Sequence, residues 1–250
     1  MIDTHCHIHG EHFSGDAERA LRDAKQAGVD VVINVGTNVE ESRRAVEFAK
    51  KHNSYATVAQ HPHDAKDLTS EAKQALTTLA REPEVVAIGE CGLDYYYNHS
   101  PKTVQHDALR WHLNLARDLG LPLSFHVRDA FEDFWPIFDD YQGLKGVVHS
   151  FTAGPDELNA AIERGLYVAF NGIMTFTKDA KQLEAVRIAP LDKIVVETDS
   201  PFLTPHPLRG KINEPKHIHL ILKKIAEIKR VSVAELAKCT TDNAKELFNI

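Results

Sequence analysis

Two rhythms of hydrophobic and polar positions alternate along the chain. In the first, short apolar runs read as strands: Val29 to Val35 is interrupted only by Asp30 and Asn34, as expected of a strand buried on both faces. Similar runs lie at Tyr55 to Ala59, Val85 to Gly89, Leu121 to Val127, Gly146 to Ser150, Leu166 to Phe170 and Ile194 to Thr198, and the segment Asp3 to His7 precedes them all. In the second rhythm, helical patterns fall near Asp16 to Ala27, Glu40 to His52, Ser70 to Arg81, Pro101 to Leu119, Ala130 to Asp140, Asp156 to Arg164 and Ala180 to Val186. Gly28 closes the first of these where a left-handed cap is expected. Eight strands separated by helical crossovers predict a parallel sheet of the α/β class, and eight such units predict a (β/α)8 TIM barrel.

From Glu214 onward the pattern is helical. Pro215 opens one helix with an apolar stripe through Ile218, Ile221, Leu222, Ile225 and Ile228, Ser232 caps a second over Val233 to Lys238, and a short last helix follows. These are expected as C-terminal additions to the barrel. The Pro-rich stretch Pro201 to Pro207 reads as a loop after the eighth strand.

Composition narrows the class. A chain of 250 residues has the size of one barrel and shows no composition break, so residues 1–250 are expected to form a single domain. No apolar run approaches about 18 residues and no charged-then-apolar leader is visible, so neither a membrane span nor a secretory signal is expected. The three cysteines, Cys6, Cys91 and Cys239, are far apart and form no CxxC pair, which suits the cytoplasm and argues against a thiolate zinc knuckle. A net charge of -7 makes the whole molecule repel polyanions, so contact with nucleic acid must rest on local basic residues and bound cations.

The candidate chemistry starts at Asp3-Thr4-His5-Cys6-His7. If this is a strand, its period of two places His5 and His7 on one face and Cys6 on the other, which makes half of a metal site. Glu90, His126, His149 and Asp199 fall at the carboxyl ends of other predicted strands, where barrel active sites are built. Six ligands exceed what one four-coordinate ion needs, so two divalent ions sharing a carboxylate are expected, with Mg, Mn, Zn, Co or Ni as candidates. Glu90 is the expected bridge; His5, His7 and Asp199 would complete one ion, and His126 and His149 the other. A hydroxide held there is a nucleophile at neutral pH, and Asp199 can orient it and accept its proton.

Several longer motifs surround these positions: His61-Pro62-His63, Gly89-Glu90-Cys91-Gly92-Leu93-Asp94-Tyr95, His149-Ser150-Phe151-Thr152, Glu197-Thr198-Asp199-Ser200-Pro201 and Arg209-Gly210-Lys211-Ile212-Asn213-Glu214-Pro215. Together with residues 3 to 7 they resemble, in order, the motifs of the TatD family of metal-dependent deoxyribonucleases, a likeness running from residue 3 to about residue 215. The resemblance implies a barrel, divalent metal, and hydrolysis of phosphodiester bonds in DNA, commonly from the 3′ end with preference for single strands. The family's metal positions fall on His5, His7, Glu90, His126, His149 and Asp199. One departure stands out: family members often carry glycine two residues before the His-Pro-His, where this chain has Ala59 followed by Gln60. His61 is read as standing behind the ligands or contacting substrate, and His63 as meeting a phosphate or the leaving oxygen; the alternative is a proline-stiffened loop with exposed histidines.

Substrate contacts are expected from Arg128, Arg209 and Lys211, which could bond phosphate oxygens, and from Tyr95, which with Tyr96, Tyr97, Phe131, Phe151, Phe176 and Phe202 could offer rings to unpaired bases. His9 and His12 lie near the expected mouth and are weaker candidates. His217 and His219 repeat the His-x-His spelling, but on a helix residues two apart point about 200° from each other, so they are read as surface residues. Three functions compete. The first is a metal-dependent DNase; the second is a hydrolase of an ester or amide, such as an aminoacyl-tRNA bond or a cyclic amide, on the same metal set. The third is a metal-holding scaffold that binds without turnover. No organic cofactor and no membrane partner is expected, and a monomer is the default.

Overall fold

The computed structural model describes residues 1–13 and 15–250. Among them, eight parallel strands follow one another in sequence order within one sheet and alternate with helices, the (β/α)8 architecture. The chain packs as two compact units, Met1–Asn34 with Ser150–Ile250, and Val35–His149.

The first unit contains β1 (Ile2–Cys6), α1 (Ala17–Gln26) and most of β2 (Val31–Val35), then α6 (Pro155–Glu163), β7 (Tyr167–Phe170), α7 (Ala180–Ile188), β8 (Ile194–Val196), α8 (Ile218–Lys229) and α9 (Val233–Phe248). Ile2 pairs with Val31 and Val168 with Ile194, in parallel register. Beyond β8 the chain stays beside β1, with Cys6 bridging Ser200. Gly28 has φ +82°, the left-handed turn expected after α1.

The second unit carries α2 (Val39–His52), β3 (Tyr55–Val58), α3 (Ser70–Leu79), β4 (Val85–Asp94), α4 (Lys102–Leu119), β5 (Leu123–Arg128), α5 (Phe131–Asp139) and β6 (Gly146–Val148). Its helix ends follow local chemistry. The Asn38 side chain accepts the Glu41 N–H at 2.9 Å, Glu40 and Glu41 face the positive end of the α2 dipole, and Lys50, Lys51 and His52 face its negative end. The strand interiors are apolar on both faces: Val58, Ile88, Leu123, Phe125 and Val148 are all buried.

Three expectations change. β4 continues through Gly92 to Asp94 and β5 through His126 to Arg128, so Glu90 and His126 lie inside their strands and not at the ends. The last two helices are a single one, α9, because no glycine or proline interrupts Val233 to Phe248 and the Thr241 hydroxyl bonds back to the Ala237 carbonyl at 2.6 Å without breaking the helix. His217 is buried, not a surface residue: it sits in the turn Pro215–His217 ahead of α8, where its Nδ1 accepts the Glu214 N–H at 3.2 Å. His219 is exposed.

Candidate metal centre

In the first unit, three of the expected ligands come together because the chain after β8 hydrogen-bonds alongside β1. The Asp199 N–H donates to the His5 carbonyl at 2.9 Å, and the His7 N–H donates to the Ser200 carbonyl at 2.7 Å. Asp199 itself adopts φ +55°, a left-handed backbone conformation three residues beyond the end of β8. Its Oδ1 lies 3.7 Å from His5 Nε2 and 3.5 Å from His7 Nε2. The two imidazoles meet edge to face with centroids 5.1 Å apart.

Asp3 holds this turn from behind. Its buried carboxylate accepts the Thr198 N–H at 2.9 Å and the Thr198 hydroxyl at 2.5 Å, and the Thr198 carbonyl accepts the Asn213 amide at 2.8 Å. Burial pushes the Asp3 carboxyl up to about 7, against the pull of its Thr198 hydrogen bonds. Glu197, a buried carboxylate absent from the expected set, accepts the Ser150 N–H at 2.8 Å and the Asn171 amide at 3.2 Å.

In the second unit, Glu90 Oε1 faces three imidazoles: His126 Nδ1 at 2.8 Å, His149 Nε2 at 3.5 Å and His61 Nε2 at 3.5 Å. Glu90, His126 and His149 offer ligand atoms that all lie within 4.8 Å of one another, and so do His61, His63 and His126. The strand register explains the arrangement. Gly92 pairs with His126, so Glu90 and Asp94, two residues to either side on the same face of β4, flank that ring. Any side chain at position 92 would run into the His126 carbonyl, and Gly92 takes φ +149°, so glycine is required there.

Asp94 is the residue that sequence reasoning missed. It is fully buried, and its Oδ2 lies 2.8 Å from His126 Nε2 and 2.9 Å from His63 Nε2, while its Oδ1 accepts the N–H groups of Tyr96 and Tyr97 at 3.0 and 2.9 Å. Burial alone would raise this carboxyl, but the bonds from His126, Tyr97 and His63 hold it well below the usual range. His126 is thereby gripped at both nitrogens: burial lowers its basicity, and the bonds to Asp94 and Glu90 outweigh that and raise it. His61 is also buried, which excludes the exposed-loop alternative for it, and burial brings its imidazole down to about 4 despite the neighbouring Glu90.

The donor set fits divalent cations. Imidazole nitrogens and carboxylate oxygens lie within mutual reach in both units, and the neighbouring thiols take no part. Cys6 and Cys91 are buried, and burial pushes both thiols up, away from the thiolate a ligand or nucleophile needs. With Nε2–H of His126 given to Asp94, a cation on the Glu90 side would take the place of the Nδ1 proton, the carboxylate–histidine arrangement that orients a metal ligand.

Arg128 lies over the Tyr96 ring, 3.9 Å from its centroid. Tyr95 donates its hydroxyl to Asp133 at 2.7 Å and has the Lys102 ammonium over its ring at 3.7 Å. Arg209 donates to the Thr204 carbonyl at 2.9 Å and stands over Phe176, and Lys211 is exposed. His12 meets Phe202 edge to face at 5.8 Å, and His9 lies 6.1 Å from His7.

Comparison with known proteins adds to this geometry. The family model described as TatD related DNase matches residues 2–249. Metal-dependent hydrolase YabD of Bacillus subtilis is 38% identical over 253 residues, covering 100% of this chain and 99% of its own. The 3′-5′ ssDNA/RNA exonuclease TatD of Escherichia coli is 35% identical over 258 residues, with the same coverage of 100% and 99%. Among solved structures, the TatD homologue YJJV of Escherichia coli superposes with a TM-score of 0.95 at 27% identity, covering 100% of this chain and 98% of that one. No helix among the described residues is long and apolar enough to cross a membrane.

Proposed function

Because this chain belongs to the TatD family of metal-dependent hydrolases, we propose that it is a nuclease that removes nucleotides from the 3′ end of single-stranded DNA. His5, His7, Glu90, His126, His149 and Asp199 are the proposed ligands of two divalent cations, with Glu90 shared, and residues 1–250 act as one metallohydrolase barrel domain. The observation that carries this reading is the Glu90 oxygen facing three imidazoles, with Asp94 fixing the ring of one of them from the far side. The Escherichia coli relative's name, a 3′-5′ ssDNA/RNA exonuclease, supports the polarity and the preference for single strands and brings RNA into the substrate class.

Cations bound there would lower the pKa of water to give a nucleophile at neutral pH and would neutralise charge on the scissile phosphate. The residues do the rest. Asp199, held in its left-handed turn, orients the attacking water and accepts its proton. His63, fixed through Nε2 by Asp94, presents Nδ1 to the departing 3′ oxygen and, when protonated, donates to it. His61, neutral through burial, packs edge to face against His63 and His126 and sets their orientation. Arg128, Arg209 and Lys211 are the proposed phosphate contacts, with Tyr95 at the margin, and the free cysteines support a cytoplasmic setting.

The test is a metal-dependent activity panel on 3′- and 5′-labelled single strands, duplex, RNA and an aminoacyl-tRNA. Release of mononucleotides from the 3′ end, abolished by EDTA and restored by a divalent ion, is expected. Full activity after chelation, or turnover of the aminoacyl ester in place of the strands, overturns the reading.

A further inference from the structure

Tyr96 and Tyr97 are the largest aromatic rings that the second unit leaves in water, 59% and 51% exposed. They meet edge to face at 4.9 Å, and Tyr97 lies parallel to the His99 ring at 5.5 Å, with His63 against its edge at 5.3 Å. The Arg128 guanidinium stands 3.9 Å above Tyr96 and 5.0 Å from Tyr97, and it forms no ion pair with any described carboxylate. An arginine on an aromatic face keeps its N–H edge for another acceptor, and phosphate is the planar-fork partner that suits it.

We propose that Tyr96 and Arg128 form a nucleotide subsite: the Tyr96 ring stacks on an unpaired nucleobase while Arg128, resting on the same ring, bonds that nucleotide's phosphate. The proposal rests on the nuclease reading and specifies how the substrate is held. Tyr97, between His99, Tyr96 and His63, is the wall that keeps the platform in place. The platform is tied to the metal-ligand cluster by one side chain, because the Asp94 oxygen that accepts the Tyr96 and Tyr97 N–H groups belongs to the carboxylate that bonds His63 and His126. A stacked base is therefore placed at a fixed offset from those two imidazoles. Stacking also answers the charge problem, since it draws a strand onto a molecule of net charge -7 without a broad basic surface. In a duplex the faces of a base are covered by its stacked neighbours, so the subsite selects single strands.

The experiment measures binding of the metal-loaded protein to a phosphorothioate-linked single strand of thymidines by fluorescence anisotropy, beside the same strand with its two 3′-terminal bases removed. The wild type should prefer the complete strand by about 5- to 100-fold, and Tyr96→Ala should erase that preference while Tyr96→Phe retains it. Arg128→Ala should weaken both strands and lower the salt slope by about 0.7, the loss of one phosphate contact on a single strand. Equal wild-type affinity for complete and base-stripped strands overturns the proposal, as does an undiminished base preference in Tyr96→Ala, which would mark these rings as a protein contact. A base preference that Tyr96→Ala removes, in a protein that hydrolyses no strand, leaves the subsite standing and fails the nuclease reading instead.

Discussion

Asp94→Asn separates orientation from coordination, because Asp94 is not among the proposed ligands yet holds one of them. Asparagine keeps the shape, and its Oδ1 can still accept the Tyr96 and Tyr97 N–H groups now bonded at 3.0 and 2.9 Å. Its amide, however, would face His126 Nε2 and His63 Nε2, where the carboxylate now lies 2.8 and 2.9 Å away. An amide donates, so His126 must turn Nε2 into an acceptor and move its proton to Nδ1, the atom facing Glu90. That removes the lone pair a cation would use. Partners of this kind are typically worth about 10- to 100-fold in metal affinity or activity, about 1.4 to 2.7 kcal/mol. The stability cost should be smaller, because two of the four bonds survive: a loss of about 1 to 2 kcal/mol, a fall of about 2 to 8 °C in Tm for a chain of this length. The assay is calorimetric titration of the metal-free variant with Mn or Zn, alongside its thermal unfolding. Wild-type metal affinity and turnover in a folded Asp94→Asn protein would refute the argument that this carboxylate sets the His126 tautomer.

Two further outcomes follow from the same geometry. Glu90→Gln replaces the oxygen that faces His126, His149 and His61 with a neutral amide, so fewer ions should be bound per chain and turnover should fall by at least about tenfold; an unchanged turnover number removes Glu90 from the bridging role. The buried His112 has its imidazole brought down to about 4, so the unfolded chain, titrating near the ordinary value of 6.5, binds a proton that the folded chain refuses. Its contribution is intact above about pH 6.5 and is lost as pH falls toward 4, about 3 kcal/mol in all. His112→Gln keeps an acceptor for the Gln60 N–H and does not titrate, so denaturant unfolding across this window should show a shallower pH slope than the wild type; parallel slopes would refute the assignment.

The alternation of apolar runs and helical patterns was enough to reveal the eight-unit fold, because most strand residues are buried on both faces and Asn38, Thr69 and Asp179 cap three of the crossover helices. Strand ends were less legible. β4 reads as ending at Gly89 because glycine and charge follow, yet Glu90, Gly92 and Asp94 obey the period of two and share a face. Extending that period four residues would have placed Asp94 beside Glu90 from the sequence alone. No comparable signal marks Glu197: its partners, Ser150 and Asn171, are brought to it by tertiary packing. For His217 the helix argument says nothing about burial, and the residue lies not on α8 but in the turn before it, where it is buried. Across the expected break in α9, Lys238 and Asp242 pair along one helix face at 2.6 Å.

The loop that runs from Ala59 and Gln60 into His61 is fixed by α4. Gln105 and His112 lie seven residues apart, two turns along one helix face, and both are fully buried. Gln105 accepts the Asp94 N–H at 2.8 Å and donates to the Asp94 and Ser100 carbonyls at 3.1 and 2.8 Å, while His112 Nε2 accepts the Gln60 N–H at 3.0 Å and its Nδ1 donates to the Ala108 carbonyl at 2.7 Å. A buried polar side chain left unbonded costs about 1 to 3 kcal/mol, so a fully bonded pair makes any shift of either loop expensive. One helix therefore fixes the backbone entering His61 and the backbone leaving β4, and the histidine accepts from a main-chain N–H that any residue but proline would supply. The Gln60 side chain turns back to the Asp64 carbonyl at 2.9 Å, closing the loop that carries His61 and His63. At Gln60 the contribution to the site is thus made through the main-chain N–H as well as the side chain.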